Sequence, residues 1–116
     1  MSTPPVGPYS PIVRAGDWLV VSGQLGLVDG TLTRGGTAVE LRQALANLAS
    51  LLEAEGAALT DVVKTTVYLR HIDDFRAMNE VYVEVFGDHR PARAAVGVAG
   101  LPLGALVEVE AWAYTG

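Results

Sequence analysis

The stretch Val107-Glu108-Val109-Glu110-Ala111-Trp112-Ala113-Tyr114 alternates without interruption, and it restricts the fold more than any other part of the chain. Successive side chains of a strand point to opposite faces. Val107, Val109, Ala111 and Ala113 therefore share one face, and Glu108, Glu110, Trp112 and Tyr114 the other. The β-branched segment at 62–69 divides the same way, with Val63, Thr65, Val67 and Leu69 opposite Lys64, Thr66 and Tyr68. A sheet with one small, aliphatic face is a floor for helices. Its second face mixes aromatic rings with charge, a composition suited to a subunit interface rather than to open water. Copies of the chain are expected to pack through that face.

Two helices are predicted to cover the first face. Over 37–55, Leu41, Leu45, Leu48 and Leu52 recur at steps of four, three and four, while Arg42, Gln43, Glu53 and Glu55 fall off that stripe and Gly56 closes the segment. The leucines read as a core-facing stripe, not as a ligand site. A second helix is expected to start at a cap provided by Asp73, carry Phe75, Met78, Tyr82, Val85 and Phe86 as its apolar stripe, and stop at Gly87. Ahead of the helices, Gly7-Pro8-Tyr9-Ser10-Pro11 is extended and turn-rich. Strands follow at 12–14, 18–23 and 31–33, with Asp29-Gly30 as a hairpin turn signal. The last two strands, 93–98 and 106–114, are separated by the loop Gly100-Leu101-Pro102-Leu103-Gly104. The predicted order is β-β-β-α-β-α-β-β, an α+β fold with one sheet and two helices on one face. No repeat or linker interrupts it, so a single domain over 1–116 is expected.

Composition narrows the partners. Lys+Arg 8 against Asp+Glu 13 gives a formal charge of -5, which repels phosphate backbones and leaves no basic stripe for nucleic acid. With no cysteine, disulfides, thiolate catalysis and cysteine-ligated metals are excluded. His71 and His89 are the only histidines, no Asp or Glu spacing pairs them for metal, and neither is assigned a function. No Gly-rich phosphate loop, Ser-His-Asp order or zinc spacing appears. No apolar run approaches the roughly 18 residues of a membrane helix, and the N-terminal residues do not resemble a secretion signal. A soluble, cytoplasmic protein is the expectation. The chain is 50% hydrophobic and only 18% charged, below the roughly 25% usual for soluble domains, which also favours oligomerisation.

Arg93 is the main candidate for chemistry. It heads a strand behind the stiff Pro91-Ala92 lead-in, runs into small side chains, and has no nearby acid in sequence. Guanidinium offers a planar fork of donors that matches a carboxylate two bonds at a time. Strand alternation places Ala95 and Gly97 on its side, leaving room for a ligand. A small molecule carrying a carboxylate is therefore the predicted partner.

Six segments together carry a family resemblance: Gly7-Pro8-Tyr9-Ser10, Val21-Ser22-Gly23-Gln24, Asp61-Val62-Val63-Lys64-Thr65-Thr66-Val67, Met78-Asn79-Glu80-Val81-Tyr82, Pro91-Ala92-Arg93, and Leu101-Pro102 followed by Val107-Glu108-Val109-Glu110-Ala111. In order and spacing they resemble the Rid family, the reactive intermediate deaminases also called the YjgF family, over nearly the whole chain. The resemblance implies a chorismate-mutase-like fold and a homotrimer whose sheets enclose a central barrel, with clefts between neighbouring subunits. It also implies hydrolysis of 2-imino acids, or of enamine tautomers such as 2-aminoacrylate, to 2-keto acids and ammonia without metal or cofactor.

Carried over residue by residue, Arg93 matches the family's carboxylate-binding arginine, and Glu108 the acid that positions water and moves protons. Glu110, on the same face, competes for that role, and a structural pairing of Glu108 with Lys64 is the plain alternative. Tyr9 and Asn79 match cleft-lining positions. Ser22 and Gly23 match a stretch that contacts ligand. Ala95 stands where well-known members have a cysteine, a position that contributes mainly its backbone. Arg90 replaces an aromatic residue that often precedes the proline, and either adds charge at the cleft mouth or faces water. Two other functions stay open: non-catalytic binding of a keto acid or related metabolite in the same cleft, and ribonuclease activity, which the acidic balance disfavours.

Overall fold

A computed structural model describes residues 7–116. Its strands are β1 (Ile12–Ala15), β2 (Trp18–Gln24), β3 (Leu27–Val28), β4 (Thr31–Leu32), β5 (Val62–Leu69), β6 (Ala92–Gly97) and β7 (Val107–Tyr114), and its helices are α1 (Thr37–Ala54) and α2 (Phe75–Phe86). Five strands form one sheet in the order β1-β2-β7-β5-β6. Among the described residues only β5 and β6 run parallel, and α2 supplies the crossover that a parallel pair needs. No helix among the described residues is long and apolar enough to cross a membrane.

The alternating strands and the leucine stripe meet as their patterns require. Leu41, Leu45, Leu48 and Leu52 of α1 pack in one buried cluster with Leu19 and Val21 of β2 and Val107, Val109, Ala111 and Ala113 of β7. From α2, Met78, Val81, Tyr82 and Phe86 enter the same cluster. Both helices thus cover a single face of the sheet. Each fully buried leucine contributes on the order of 1.5–3 kcal/mol relative to exposure. On the opposite face, Trp18, Trp112 and Tyr114 are 38%, 46% and 43% exposed. Their rings form a cluster, with centroids 6.1 Å apart for Trp18 and Trp112 and 5.0 Å for Trp18 and Tyr114.

Four sequence expectations need correction. The Asp29-Gly30 turn joins β3 to β4, and this hairpin forms a separate two-stranded sheet instead of extending the main one. Asp29 and Gly30 both have positive φ, as a tight hairpin turn requires. Asn47 of α1 holds the hairpin in place, donating from Nδ2 to the carbonyls of Leu25 and Leu27 at 3.1 and 3.0 Å. In β5, Val62 and not Val63 enters the core, because pairing with β7 shifts register between Val62 and Lys64. Such an irregularity puts two residues opposite one and reverses the alternation locally. The residue preceding α2 is Asp74, not Asp73, and its carboxylate accepts from the Thr37 hydroxyl of α1 instead of capping its own helix. Finally, the apolar stripe of α2 loses Phe75, which lies exposed, and gains the buried Val81, while Met78, Tyr82 and Phe86 enter the core and Val85 packs against it as expected.

Candidate active site

Pro91 and Ala92 lead into the edge strand β6, where Arg93 pairs with the fully buried Thr65 of β5. Directly paired residues share a face, so Arg93 projects to the helical side. Its guanidinium lies 4.8 Å from the ring centroid of Tyr82 and 5.5 Å from that of Phe75, both on α2. It makes no hydrogen bond or ion pair with a carboxylate among the described residues. The rings hold the cation through their negative faces without neutralising it. Tyr82 is itself fixed, its hydroxyl 2.8 Å from that of Thr65 in the core. Burial pushes its phenol pKa up, against smaller downward effects from the Thr65 hydrogen bond, Arg93 and Arg90. Asn79, Tyr82, Val83, Arg90, Pro91 and Arg93 line a cavity of about 350 Å³.

The space expected beside Ala95 and Gly97 is partly filled, with Ala95 half-buried and Gly97 exposed. Ala95 pairs with Val67 and packs against the core. A Cβ added at Gly97 would sit 3.2 Å from the Cβ of Ile72, so Gly97 accommodates the short turn ahead of α2. The cavity extends toward Asn79 and Val83.

Glu108 occupies the other face of the sheet, on β7 opposite Tyr68. Its carboxyl pKa is raised, first by burial and then by the neighbouring Glu110 charge. Glu110 is engaged: it accepts a hydrogen bond from the Tyr68 hydroxyl, and that bond holds the Tyr68 phenol above its ordinary pKa. Glu108 has no such partner among the described residues, and Lys64 stands opposite Trp112 rather than Glu108. The Glu108 carboxylate lies over Gly23, where any side chain would collide with it. Beside Gly23, Ser22 donates from its hydroxyl to the Ser10 carbonyl at 2.6 Å, and its amide bonds the Pro11 carbonyl at 2.9 Å. Those bonds fasten the lead-in that carries Tyr9, whose ring is exposed.

The candidate residues therefore fall into two groups. Arg93 and Asn79 stand together on the helical face at the β6 edge; Glu108, Gly23 and Ser22 stand together on the open face, with Tyr9 on the tethered lead-in nearby. The sheet order puts β5 between β7 and β6, so two strand spacings, about 10 Å, separate the groups along the sheet in addition to the change of face. Within one chain, Arg93 and Glu108 do not meet. Tyr82 and Phe75 were legible only as core apolar residues, and nothing in their spacing announced a platform for the guanidinium. His89, given no role from sequence, bonds the Val62 carbonyl through Nε2 at 2.7 Å.

The family model described as Endoribonuclease L-PSP matches residues 1–115. A 2-iminobutanoate/2-iminopropanoate deaminase of Homo sapiens is 46% identical over 113 residues, covering 96% of this chain and 82% of that protein. A RutC family protein of Pyrococcus horikoshii is 46% identical over 112 residues, covering 95% and 89%. The crystal structure of RidA from an Antarctic Psychrobacter superposes with a TM-score of 0.94 at 41% identity, covering 97% of this chain and 93% of that one.

Proposed function

Because the chain belongs to the Rid/YjgF family, we propose that it hydrolyses 2-imino acids and their 2-enamino tautomers, such as 2-aminoacrylate, to 2-keto acids and ammonia. The observation that carries this reading is the Arg93 guanidinium, set against two aromatic rings at a cavity and without a carboxylate partner among the described residues. Cavities of this size suit small molecules, and a guanidinium without an acid partner is suited to a substrate's carboxylate.

The proposed reaction uses Arg93 of one copy and Glu108 of a neighbouring copy in a homotrimer packed through the open sheet faces. Arg93 binds the substrate carboxylate in a two-bond fork, with the Asn79 amide and Tyr9 ring beside it. The Gly23 backbone and Ser22 frame the Glu108 end of the cleft, and the Ala95 backbone borders the Arg93 end. An enamine substrate first takes a proton at C3 to become the iminium. Glu108 accepts a proton from water as the water oxygen bonds to C2, giving a carbinolamine. Glu108 then passes that proton to nitrogen, the C–N bond breaks with release of ammonia as the hydroxyl oxygen forms the carbonyl, and the hydroxyl proton leaves to solvent, replacing the one taken up at C3. Burial helps Glu108 act as the proton acceptor, since a raised pKa brings it nearer the pH of the reaction. Glu110 is the weaker candidate because Tyr68 engages it. Imines hydrolyse readily in water, so the required barrier lowering is modest, and orientation with one proton acceptor suffices. The proposed setting is the cytoplasm, beside the dehydratases that generate such imines.

Adding the protein to a threonine dehydratase reaction is expected to accelerate 2-oxobutanoate release over spontaneous hydrolysis, with the acceleration lost in Arg93→Ala. Glu108→Gln is expected to retain calorimetric binding of 2-oxobutanoate while losing turnover. Equal release with and without the protein would overturn the enzymatic reading. Binding without turnover in the unmodified protein would assign the cleft to metabolite binding instead. The family description names a ribonuclease, but a net charge of -5 opposes the approach of RNA.

A further inference from the structure

The cavity beside Arg93 has a second, solvent-exposed arginine in its wall. Arg90 lines it together with Arg93, and none of its lining residues is acidic. The Arg90 side chain is anchored on one side only: Nη1 donates to the carbonyls of Gly87 and, at 3.1 Å, His89. Its Nε and Nη2 donors have no protein partner among the described residues. Gly87 ends α2, and a cation there offsets the helix's partial negative charge. That structural role accounts for the anchored edge but not for the charge that the side chain brings to a cavity already holding Arg93. Both guanidiniums act on the same phenol, each favouring ionised Tyr82 against the larger opposing effect of burial. Two like charges in the wall of one small cavity repel each other, and an anion with two negative groups would relieve that repulsion where a single carboxylate would leave one charge unmatched.

We infer that Arg90 is a specificity-determining residue that receives a second carboxylate, so that the preferred ligands are 2-imino or 2-oxo acids with a side chain ending in a carboxylate. The inference rests on the proposed use of Arg93 for the first carboxylate. Asn79, the neutral polar side chain in the lining, is left to hydrogen-bond either end without adding charge.

Calorimetric titration of the whole protein with 2-oxoglutarate and with 2-oxobutanoate tests this directly. The unmodified protein is expected to bind the dicarboxylate about tenfold more tightly, Arg90→Gln to reduce that preference at least several-fold, and Arg90→Lys to keep most of it. No preference in the unmodified protein, or a preference unchanged in Arg90→Gln, overturns the inference. Turnover of 2-iminobutanoate measured in parallel separates the two readings. Turnover without dicarboxylate preference removes the role of Arg90 alone. An Arg90-dependent preference without turnover supports the second anion site and removes the deaminase reading.

Discussion

Tyr82 contributes to the core and to the site through different parts of one side chain. Its hydroxyl is 2.8 Å from that of the buried Thr65, while its ring lies beneath the Arg93 guanidinium. Tyr82→Phe is therefore expected to lower stability by about 1–2 kcal/mol, the usual cost of leaving a buried hydroxyl unpaired. It should change KM little, because the ring remains; Tyr82→Leu should raise KM as the guanidinium loses its support. Thermal unfolding and steady-state kinetics on the two variants separate these effects. Gly23 occupies a comparable position on the other face, where its lack of a side chain admits the Glu108 carboxylate. Gly23→Ala is expected to displace that flexible carboxylate, leave the melting temperature nearly unchanged, and reduce kcat more than it raises KM. Glu108 also links pH to stability. Its pKa is raised in the fold, so the folded chain holds a proton that the unfolded chain releases more readily. This stabilisation is fully present below the unfolded glutamate pKa and lost as pH rises through the folded value. Glu108→Gln is expected to raise the melting temperature more at pH 7.5 than at pH 4, and an equal gain at both would remove this account.

The clearest elements in the sequence were those whose residues all answer to one packing partner. The α1 leucines and the β7 alternation follow strict periods because each has a continuous surface to meet, and the sheet and helices assemble on those faces. Local exceptions were harder to read. The shift between Val62 and Lys64 arises from pairing with β7, a long-range register that β-branched composition does not encode. Asp74 gives its carboxylate to Thr37, 37 positions earlier in the chain, so an acid near a helix start does not by itself identify a cap. Arg93 was recognisable from its lead-in and its lack of a nearby acid, but its aromatic platform depends on the crossover that lays α2 over β5 and β6. The core itself permits a direct prediction: Leu45→Ala, at a fully buried position in α1, is expected to cost about 2–5 kcal/mol. Chemical denaturation would register this as a lower midpoint with an unchanged slope. A smaller loss would mean that the helix–sheet interface can close around the missing side chain.

At the scale of the molecule, the separation of Arg93 from Glu108 connects the open face to the proposed chemistry. A ring of three copies closes through one repeated contact between different surfaces, so it can bring the Arg93 edge of one copy to the Glu108 face of the next. The exposed Trp18, Trp112 and Tyr114 cluster provides apolar area for such packing. Two inactive variants should then repair each other. Arg93→Ala supplies a sound Glu108, and Glu108→Gln supplies a sound Arg93. If the variants are dissociated, mixed in equal amounts and reassembled at random, about three-quarters of closed threefold rings contain both kinds of subunit, and each mixed ring has one intact cleft of three. The mixture is expected to recover about a quarter of unmodified activity, although each variant alone has almost none. Sedimentation should give the same trimer mass for the variants, the mixture and the unmodified protein. If mixed trimers form without restoring activity, Arg93 and Glu108 do not serve one cleft from different copies; if the unmodified protein sediments as a 12.2 kDa monomer, the ring assembly itself is wrong.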